Sequence, residues 1–255
     1  MKKAPDELPK EKLTTKQIRI RTATSFAFFL LLLIAGWMTY TWIKNQPADK
    51  GTPKPLRSAL TINEKIFSSV FDSSKKVKEY PLNAAVKNVR VNGAAGMRTA
   101  LDTATWRLHV VRSDGDTLKL TLNDIKKLPK KEIVFDFKCI EGWSQVTHWG
   151  GVPFSTFVKA YGLNKESKMG YVGLVTPDKE YYVGIDMPSA LQSQTLLCYE
   201  MNGKDLPMDQ GYPLRLIIPV KYGIKHLKRI GTLFFSNTKP ADYWAERGYD
   251  YYAGH

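Results

Sequence analysis

The sequence predicts a mixed α+β domain with antiparallel sheets, preceded by one membrane-spanning helix. Many short segments alternate between apolar and polar residues with the period of a strand, and turn residues separate them. The chain has no regular alternation of strands with long helices, no internal repeat and no dinucleotide-binding fingerprint, which argues against a Rossmann fold. Near the N-terminus, 22 residues run without a charge, enough to cross about 30 Å of hydrocarbon at a rise of about 1.5 Å per residue.

Composition bounds the domain and its partners. The 255 residues are 43% hydrophobic, so one substantial core remains after the anchor is set aside. The net charge is +14, and the first 21 residues supply only +4 of it through seven basic and three acidic residues. A basic domain suits nucleic acid, an anionic membrane surface, an acidic partner or a phosphate-bearing cofactor. Because the sequence has no recognition helix and no zinc-finger spacing, we expect no nucleic acid partner.

The N-terminal region predicts a tail, an anchor and a linker, with bounds 1–21, 22–43 and 44–58. A retained anchor is favoured over a cleaved signal peptide, because the apolar run is long and no small-x-small site precedes Lys44. Trp37, Tyr40 and Trp42 fall where an aromatic belt would lie. Seven basic residues precede the span and fewer follow it closely, so we expect a single-pass protein of the cell membrane with a cytoplasmic N-terminus and an extracytoplasmic, periplasmic domain.

The domain, 59–255, opens with a short amphipathic helix. A possible capping box at Thr61–Glu64 precedes apolar residues at helical spacing. Packing on the domain and lying on the membrane surface are both open for this helix. Further helices are predicted at 122–128, 154–161 and 188–192. Strands are predicted at 86–91, 106–111, 117–122, 132–139, 171–175, 181–185, 195–201, 214–218 and 229–235.

The stretch EIVFDFKCIEGWSQVTHWGGVPFSTFVKAY, residues 132–161, contains the most informative residue. Alternation places Cys139 at the end of the apolar face of a strand. The residues after it predict a loop rich in Gly and Trp that lasts until the helix at Phe154. A thiol at the edge of a core suits a metal ligand, a nucleophile or a small buried hydrophobe, and the residue alone leaves all three open. Cys198 is the second cysteine, and one bridge between the two is also open.

Two segments carry a family resemblance. KCIEGW followed by HWGGVPF is similar to the cysteine segment of the sulfite oxidase and sulfoxide reductase family of molybdenum enzymes, and 202–230 resembles the same family's pterin-binding segment. With weaker matches at 89–110 and at the ending ADYWAERGYDYY, the resemblance covers most of 80–252. It implies the β-rich α+β fold of the sulfite oxidase molybdopterin-binding domain type, a molybdenum–molybdopterin cofactor, and Cys139 as metal ligand and catalytic residue.

The resemblance also implies the cofactor-binding residues. His226, Leu227 and Lys228 occupy the family's phosphate-contacting tripeptide, and Gln210 and Arg215 fall at positions that contact the pterin. The remaining implied contacts are Arg90, Asn92 and Thr176. From charge alone, the basic cluster at 221–229 is either a phosphate site or a solvated face. His109 alternates within a strand as a structural residue would, whereas His148 suits either the substrate cavity or the surface.

The implied function is that of a membrane-anchored oxidoreductase transferring an oxygen atom on a small substrate, by sulfoxide reduction or by sulfite-type oxidation. The chain has no haem-attachment motif and no iron–sulfur cysteine set, so electrons must cross to another protein. By resemblance, we expect a b-type cytochrome in the same membrane. The separated arginines of Arg19-Ile20-Arg21 depart from a twin-arginine signal and leave the export route open.

Two alternatives remain at this stage. One is a membrane-anchored cysteine transpeptidase of sortase type, with Cys139 as nucleophile, His148 or His109 as base and Arg215 stabilising the oxyanion. The residues VFDFK before the cysteine do not resemble the TLxT that precedes a sortase cysteine, and the segment KYGIKHLK would be unexplained. The other is a metal-free binding module, which an intact Cys139 disfavours.

Overall fold

The computed structural model describes residues 13–49, 51–72 and 74–255, which fall into two compact units. The first unit is formed by α1 (Thr15–Lys44) and adjoining residues. By length and composition, α1 is a candidate to cross a membrane. Thr14 caps it by accepting a hydrogen bond from the Gln17 N–H, which satisfies a backbone donor that the first turn leaves free. Most of the predicted cytoplasmic tail lies outside the described residues.

Two short strands, β1 (Ala48–Asp49) and β2 (Thr52–Pro53), precede α2 (Lys54–Val70). The helix α2 therefore begins inside the segment predicted as a linker. Pro55 lies in its first turn, where a missing N–H costs nothing. Thr61 lies in the middle of α2, so the suggested capping box is wrong.

The second unit contains two five-stranded sheets. The strands of the first are β3 (Leu108–Val111), β4 (Thr117–Leu120), β7 (Tyr171–Val175), β8 (Tyr182–Asp186) and β12 (Thr232–Ser236). The strands of the second are β5 (Lys131–Lys138), β6 (Ser144–Pro153), β9 (Leu196–Met201), β10 (Lys204–Asp205) and β11 (Arg215–Ile217). The short helices are α3 (Leu122–Lys126), α4 (Phe154–Ala160) and α5 (Met187–Ala190).

The strand order is β4-β3-β12-β7-β8 in the first sheet and β10-β9-β6-β5 in the second, where β11 also pairs with β9. Among the described residues, the pairings in the two sheets are antiparallel except that of β12 with β3, which is parallel. The predicted α+β class is confirmed.

Strand β9 of the second sheet is buried on both faces. In β9, Leu197 belongs to the larger apolar cluster, which also contains residues of the first sheet and of α4. Its neighbour Cys198 belongs to a smaller cluster with Phe135 and Trp149. Successive side chains of a strand point to opposite faces, so one strand supplies both clusters. A strand buried on both sides is a rigid support for the residues at its ends.

The segment after Cys139 differs from the prediction. Ser144–Pro153 is a strand rather than a loop, and it pairs with β5 from Lys138↔Ser144 to Lys131↔Gly151. Its register against β9 shifts between Gly150 and Gly151, which marks a bulge. A Cβ at position 151 would lie 2.6 Å from the Cys198 Cα, so this close approach of the strands requires glycine. The glycines and the bulge interrupt the alternation by which a strand is recognised.

The predicted strand at 86–91 is also wrong. This segment is irregular, and side-chain amides from other parts of the domain satisfy its backbone. Asn202 Nδ2 donates to the Val86 and Lys87 carbonyls at 3.2 and 3.0 Å. Gln145 Oε1 accepts from the Arg90 N–H at 2.9 Å, and Gln210 Nε2 donates to the Val89 carbonyl at 3.3 Å. Apart from the Val86 N–H, which donates to the Val146 carbonyl of β6 at 2.9 Å, these bonds come from side chains, so the segment forms no strand ladder.

Candidate functional site

A cavity in the second unit brings distant parts of the chain together. Its wall combines aromatic rings with a thiol and several cations. Seven of the nine predicted site residues line it: Arg90, Asn92, Cys139, Gln210, Arg215, His226 and Lys228. The thiol and the basic segment, well apart in sequence, therefore face one space.

Cys139 follows directly after β5 and is fixed by its backbone. Its N–H donates to the Trp143 carbonyl at 2.9 Å, and its carbonyl accepts from the Gly142 N–H at 3.1 Å, closing the turn between β5 and β6. The side chain is 6% exposed. Its sulfur accepts a weak hydrogen bond from Asn92 Nδ2 at 3.6 Å. Both cysteines are free, so no disulfide competes for this sulfur.

Arg215 lies on β11 beneath the cavity. Its Nη1 donates to the backbone carbonyl and the side-chain Oε1 of Gln210, at 2.9 and 3.0 Å. The guanidinium stacks over the Trp149 ring at 4.5 Å. Burial lowers the pKa of Arg215 to about 10. Within residues 13–49, 51–72 and 74–255, its buried Nε finds no hydrogen-bond partner, so the group retains unused capacity for an acceptor.

Lys228 is a half-buried cation that has only neutral hydrogen-bond acceptors. Its Nζ donates to the carbonyls of Asn92, Gly93 and Asp209 at 2.7, 3.2 and 3.0 Å. Burial, followed by the nearby charge of Arg215, lowers the pKa of Lys228 to about 8. Gly211 approaches so closely that a Cβ there would lie 2.9 Å from the Lys228 Cβ. An anion entering the cavity would restore the balance of charge around these two cations.

His226 is held neutral by its surroundings. Its Nε2 bonds the Lys221 carbonyl at 3.1 Å and its Nδ1 accepts from the Ile218 N–H at 3.4 Å, which assigns the proton to Nε2. Burial lowers the pKa of His226 to about 3. The ring packs edge-on against Phe137 at 4.7 Å between centroids. With both nitrogens engaged, the imidazole positions this loop and brings no positive charge to the cavity.

Thr176 and Leu227 are not among the lining residues. Thr176 Oγ1 donates to Asp178 Oδ1 at 2.6 Å and accepts from the Tyr181 N–H at 3.1 Å, which closes the turn after β7. Leu227 is fully buried in the larger apolar cluster. Their cofactor contacts stay predictions.

The two histidines suggested as bases also lie elsewhere. His148 is on the face of β6 opposite the lining residues Thr147 and Trp149, and its Nε2 contacts Glu132 Oε2 at 3.1 Å. His109 is exposed on β3 and does not line the cavity. Neither supplies Cys139 with the base that a transpeptidase requires.

Several lining residues had no role in the sequence prediction. Glu141 lies in the turn after Cys139, where hydrogen bonds from Trp143 and then Asn92, with the charge of Arg90, lower the pKa of its carboxyl. Arg90 lies over the Trp143 ring at 4.7 Å. Tyr181 donates its hydroxyl to the Ile224 carbonyl at 2.5 Å, and burial raises its pKa. The spacing Cys139-x-Glu141-x-Trp143 was visible, but only a hairpin turn brings these side chains to one rim.

The predicted cofactor fits this donor set. A single soft sulfur faces the cavity. A guanidinium with an unpaired Nε and an ammonium whose hydrogen-bond acceptors are all neutral lie where an anionic group would be held. Among the described residues, no group of three or more His, Cys, Asp or Glu side chains is placed to hold a metal ion. A metal bound by Cys139 would therefore take its other ligands from a cofactor, as dithiolene sulfurs would supply.

Comparison with known proteins identifies the family. Residues 95–244 match the model of the oxidoreductase molybdopterin-binding domain. The chain is 33% identical over 208 residues to a putative protein-methionine-sulfoxide reductase subunit of Azospira oryzae, covering 81% of this chain and 78% of that protein. It is 29% identical to the catalytic subunit of a protein-methionine-sulfoxide reductase of Campylobacter jejuni, covering 63% of this chain and 60% of that protein.

Two further proteins align with only part of this chain. Rat mitochondrial sulfite oxidase is 28% identical over 58% of this chain, which corresponds to 32% of that enzyme. The sulfane dehydrogenase SoxCD of Paracoccus pantotrophus aligns with a TM-score of 0.49 at 18% identity, over 55% of this chain and 40% of that chain. The resemblance drawn from the cysteine and pterin segments is confirmed by the family match. The chain belongs to the oxidoreductase molybdopterin-binding domain family and is an enzyme of the sulfite oxidase and sulfoxide reductase type.

Proposed function

We propose that this protein is the catalytic subunit of a membrane-bound sulfoxide reductase that uses molybdenum–molybdopterin. The observation that carries the proposal is the single cavity that the Cys139 thiol shares with two cations, the buried Arg215 and the half-buried Lys228. The names of the Azospira and Campylobacter relatives point to the same reaction for those proteins. The activity, the substrate and the partner are proposed for this chain by extension.

Different residues of the chain bind the metal and the anionic part of the cofactor. Cys139 supplies the thiolate ligand to the metal, and Asn92 Nδ2 orients that sulfur. Arg215 and Lys228 bind the anionic part of the cofactor, and Gln210 fixes the guanidinium. When bound, the cofactor supplies a two-electron redox centre able to accept or donate an oxygen atom.

The rim favours a neutral substrate over the sulfite anion. Glu141 is ionised at neutral pH, because its hydrogen bonds and the charge of Arg90 hold its pKa below the usual value. Arg90 offsets that charge from the face of Trp143, so the rim has no net positive charge. Trp244 and Tyr249 complete an aromatic wall. A methionine sulfoxide side chain, which is neutral and has an apolar methyl group, matches this rim better than an oxyanion that needs clustered cations.

The proposed reaction consumes two protons and two electrons, converting a sulfoxide to a thioether and one water. The described residues contain no haem-attachment motif or iron–sulfur cysteine set, so the electrons come from another protein. We propose a b-type cytochrome subunit in the membrane that α1 crosses, with the catalytic domain on the periplasmic side.

The test uses protein purified from a host that makes the cofactor. We expect about one molybdenum per chain together with its pterin. We further expect that reduced viologen drives the reduction of a peptide methionine sulfoxide at a rate well above that of ferricyanide reduction by sulfite.

The variant Glu141→Gln tests the role of the rim. It should raise kcat/KM for sulfite several-fold while changing the KM for the sulfoxide little. A faster sulfite reaction in the wild-type protein would overturn the proposed direction, and a molybdenum-free protein from that host would overturn the enzyme assignment.

A further inference from the structure

The helix α2 is attached to the domain along one side only. Arg57 Nη2 donates to the Ala245 carbonyl at 2.6 Å and to Thr52 Oγ1 at 3.1 Å. About two turns later, Glu64 Oε2 accepts from Lys239 Nζ at 2.5 Å. With Thr61, these residues are partly buried and lie on one stripe, because they are spaced at four and three residues. Polar contacts thus hold α2 to the domain.

The opposite side of α2 is apolar, and no described residue of the chain covers it. Ile62, Ile66 and Val70 are 59%, 54% and 71% exposed, and Leu56 and Phe67 flank them at 46% and 42%. At about 100° per residue, these five positions centre on the side away from Arg57 and Glu64. A soluble monomer seldom exposes a continuous row of large aliphatic side chains, because each would be stabilised by leaving water. This arrangement is the reverse of a helix that packs its apolar side on the domain.

The chain itself indicates what covers this side. Nine residues separate Lys44, the end of α1, from Lys54, the start of α2. At no more than about 3.4 Å per residue, they hold α2 within roughly 30–35 Å of the end of the spanning helix. Residues 54–78 contain six basic and two acidic side chains, a balance that attracts anionic lipid headgroups. We propose that α2 lies in the membrane interface with Ile62, Ile66 and Val70 among the acyl chains.

This position bears on the active site, and it rests on the proposed membrane anchorage. Ala245, to which Arg57 is bonded, belongs to the same short segment as the cavity residues Trp244 and Tyr249. A helix seated in the interface would therefore hold the rim of the cavity at a fixed height above the lipid. Substrates and electron donors would then approach along the membrane surface rather than from all directions.

Photo-crosslinking distinguishes lipid from other occupants. We would introduce benzoylphenylalanine at Ile66 or at Phe67, with Lys65 as the matched control one position away on the polar side, in the full-length chain. Irradiation would be carried out in proteoliposomes containing one-third anionic lipid and in native membranes. We expect lipid adducts at Ile66 and Phe67 at least fivefold above Lys65 in both settings. An adduct to a second polypeptide in native membranes, or equal labelling at all three positions, would overturn the proposal.

The same preparations separate this inference from the proposed function. Molybdenum and pterin content should be unchanged in the Ile66 and Lys65 variants, since neither residue lines the cavity. A protein that is loaded with cofactor but gives no lipid adduct would overturn the interfacial helix alone. A protein that alkaline carbonate extracts from the membrane would overturn the anchorage, and the interfacial helix with it.

Discussion

At the scale of single residues, the two cysteines are placed for different purposes. Cys198 lies within β9, and burial raises the pKa of its thiol to about 12, so it stays protonated in the core. Cys139 lies one residue beyond a strand, where a turn presents its sulfur to the cavity. Sequence alternation indicated that Cys139 ends an apolar face. The presence of an unbridged sulfur opposite two cations became visible only in three dimensions.

Replacing each cysteine in turn tests this difference. Cys139→Ser should abolish molybdenum binding, because a serine hydroxyl is a harder and less acidic ligand than a thiol. Its thermal unfolding should change little, since the substitution removes few contacts. Cys198→Ser is the matched control and should keep the metal, despite some loss of stability. Elemental analysis of both purified variants measures their molybdenum content. Full molybdenum content in Cys139→Ser would show that this sulfur is not a metal ligand.

His226 predicts a pH dependence of stability. Its pKa is about 3 in the folded chain against an ordinary 6.5, so between these values the unfolded chain binds more protons and stability falls as pH falls. From pH 7 to pH 5 this residue should cost about 2 kcal/mol. His226→Gln should lose that dependence, although it is less stable overall, whereas the exposed control His109→Gln should keep it. Urea unfolding at both pH values measures the difference, and equal slopes in wild type and His226→Gln would contradict it.

At the scale of elements, the hairpin of β5 and β6 builds the site. The sequence predicted β5 through its alternation but not β6, because two glycines and a bulge against β9 break the period of the second strand. The segment 86–91 was wrongly predicted as a strand for the opposite reason. Its β-branched residues suggest a strand, yet amide side chains from remote positions satisfy its backbone. Short-range patterns do not contain such long-range partners.

Gly151 tests the bulge. Gly151→Ala would place a Cβ 2.6 Å from the Cys198 Cα and against the Leu197 carbonyl, so β6 and β9 would have to separate. We expect a loss of roughly 2–4 kcal/mol in the free energy of unfolding. Gly170→Ala is the control, because its nearest neighbour would be at an ordinary 3.7 Å, and it should stay within about 0.5 kcal/mol of wild type. Denaturant unfolding measures the stability of both variants. Equal stability would mean that β6 and β9 accommodate the extra Cβ without cost, which would contradict the prediction.

At the scale of the whole molecule, an apolar helix and a basic domain share one chain. The fold class and the cofactor family were predictable, because they depend on alternation and on two distinctive segments. The charge and the hydrogen-bond partners of each cavity residue were less predictable. Family resemblance implies that His226 contacts the phosphate, and that contact stays a prediction. Its burial adds that the ring is neutral and that both of its nitrogens are engaged. Burial depends on the packing of the whole domain, and no single segment encodes it.

Membrane topology is the prediction at this scale. The full chain should stay in the membrane pellet after carbonate extraction, and trypsin added to intact spheroplasts should cleave after the exposed Lys75 and Lys76 and degrade or release the domain. The basic N-terminal tail, detected through an epitope tag at the N-terminus, should be protected from trypsin until the cells are lysed. Protection of the domain in intact spheroplasts would reverse the orientation.

The contacts of Lys228 have a consequence for the wall of the cavity. One ammonium group ties the turn at Asn92 and Gly93 to the distant carbonyl of Asp209, and it does so with protein atoms alone. Lys228→Met would keep the length of the side chain but leave these three carbonyls without their shared donor. This wall of the cavity would then lose the tie that joins its two distant segments.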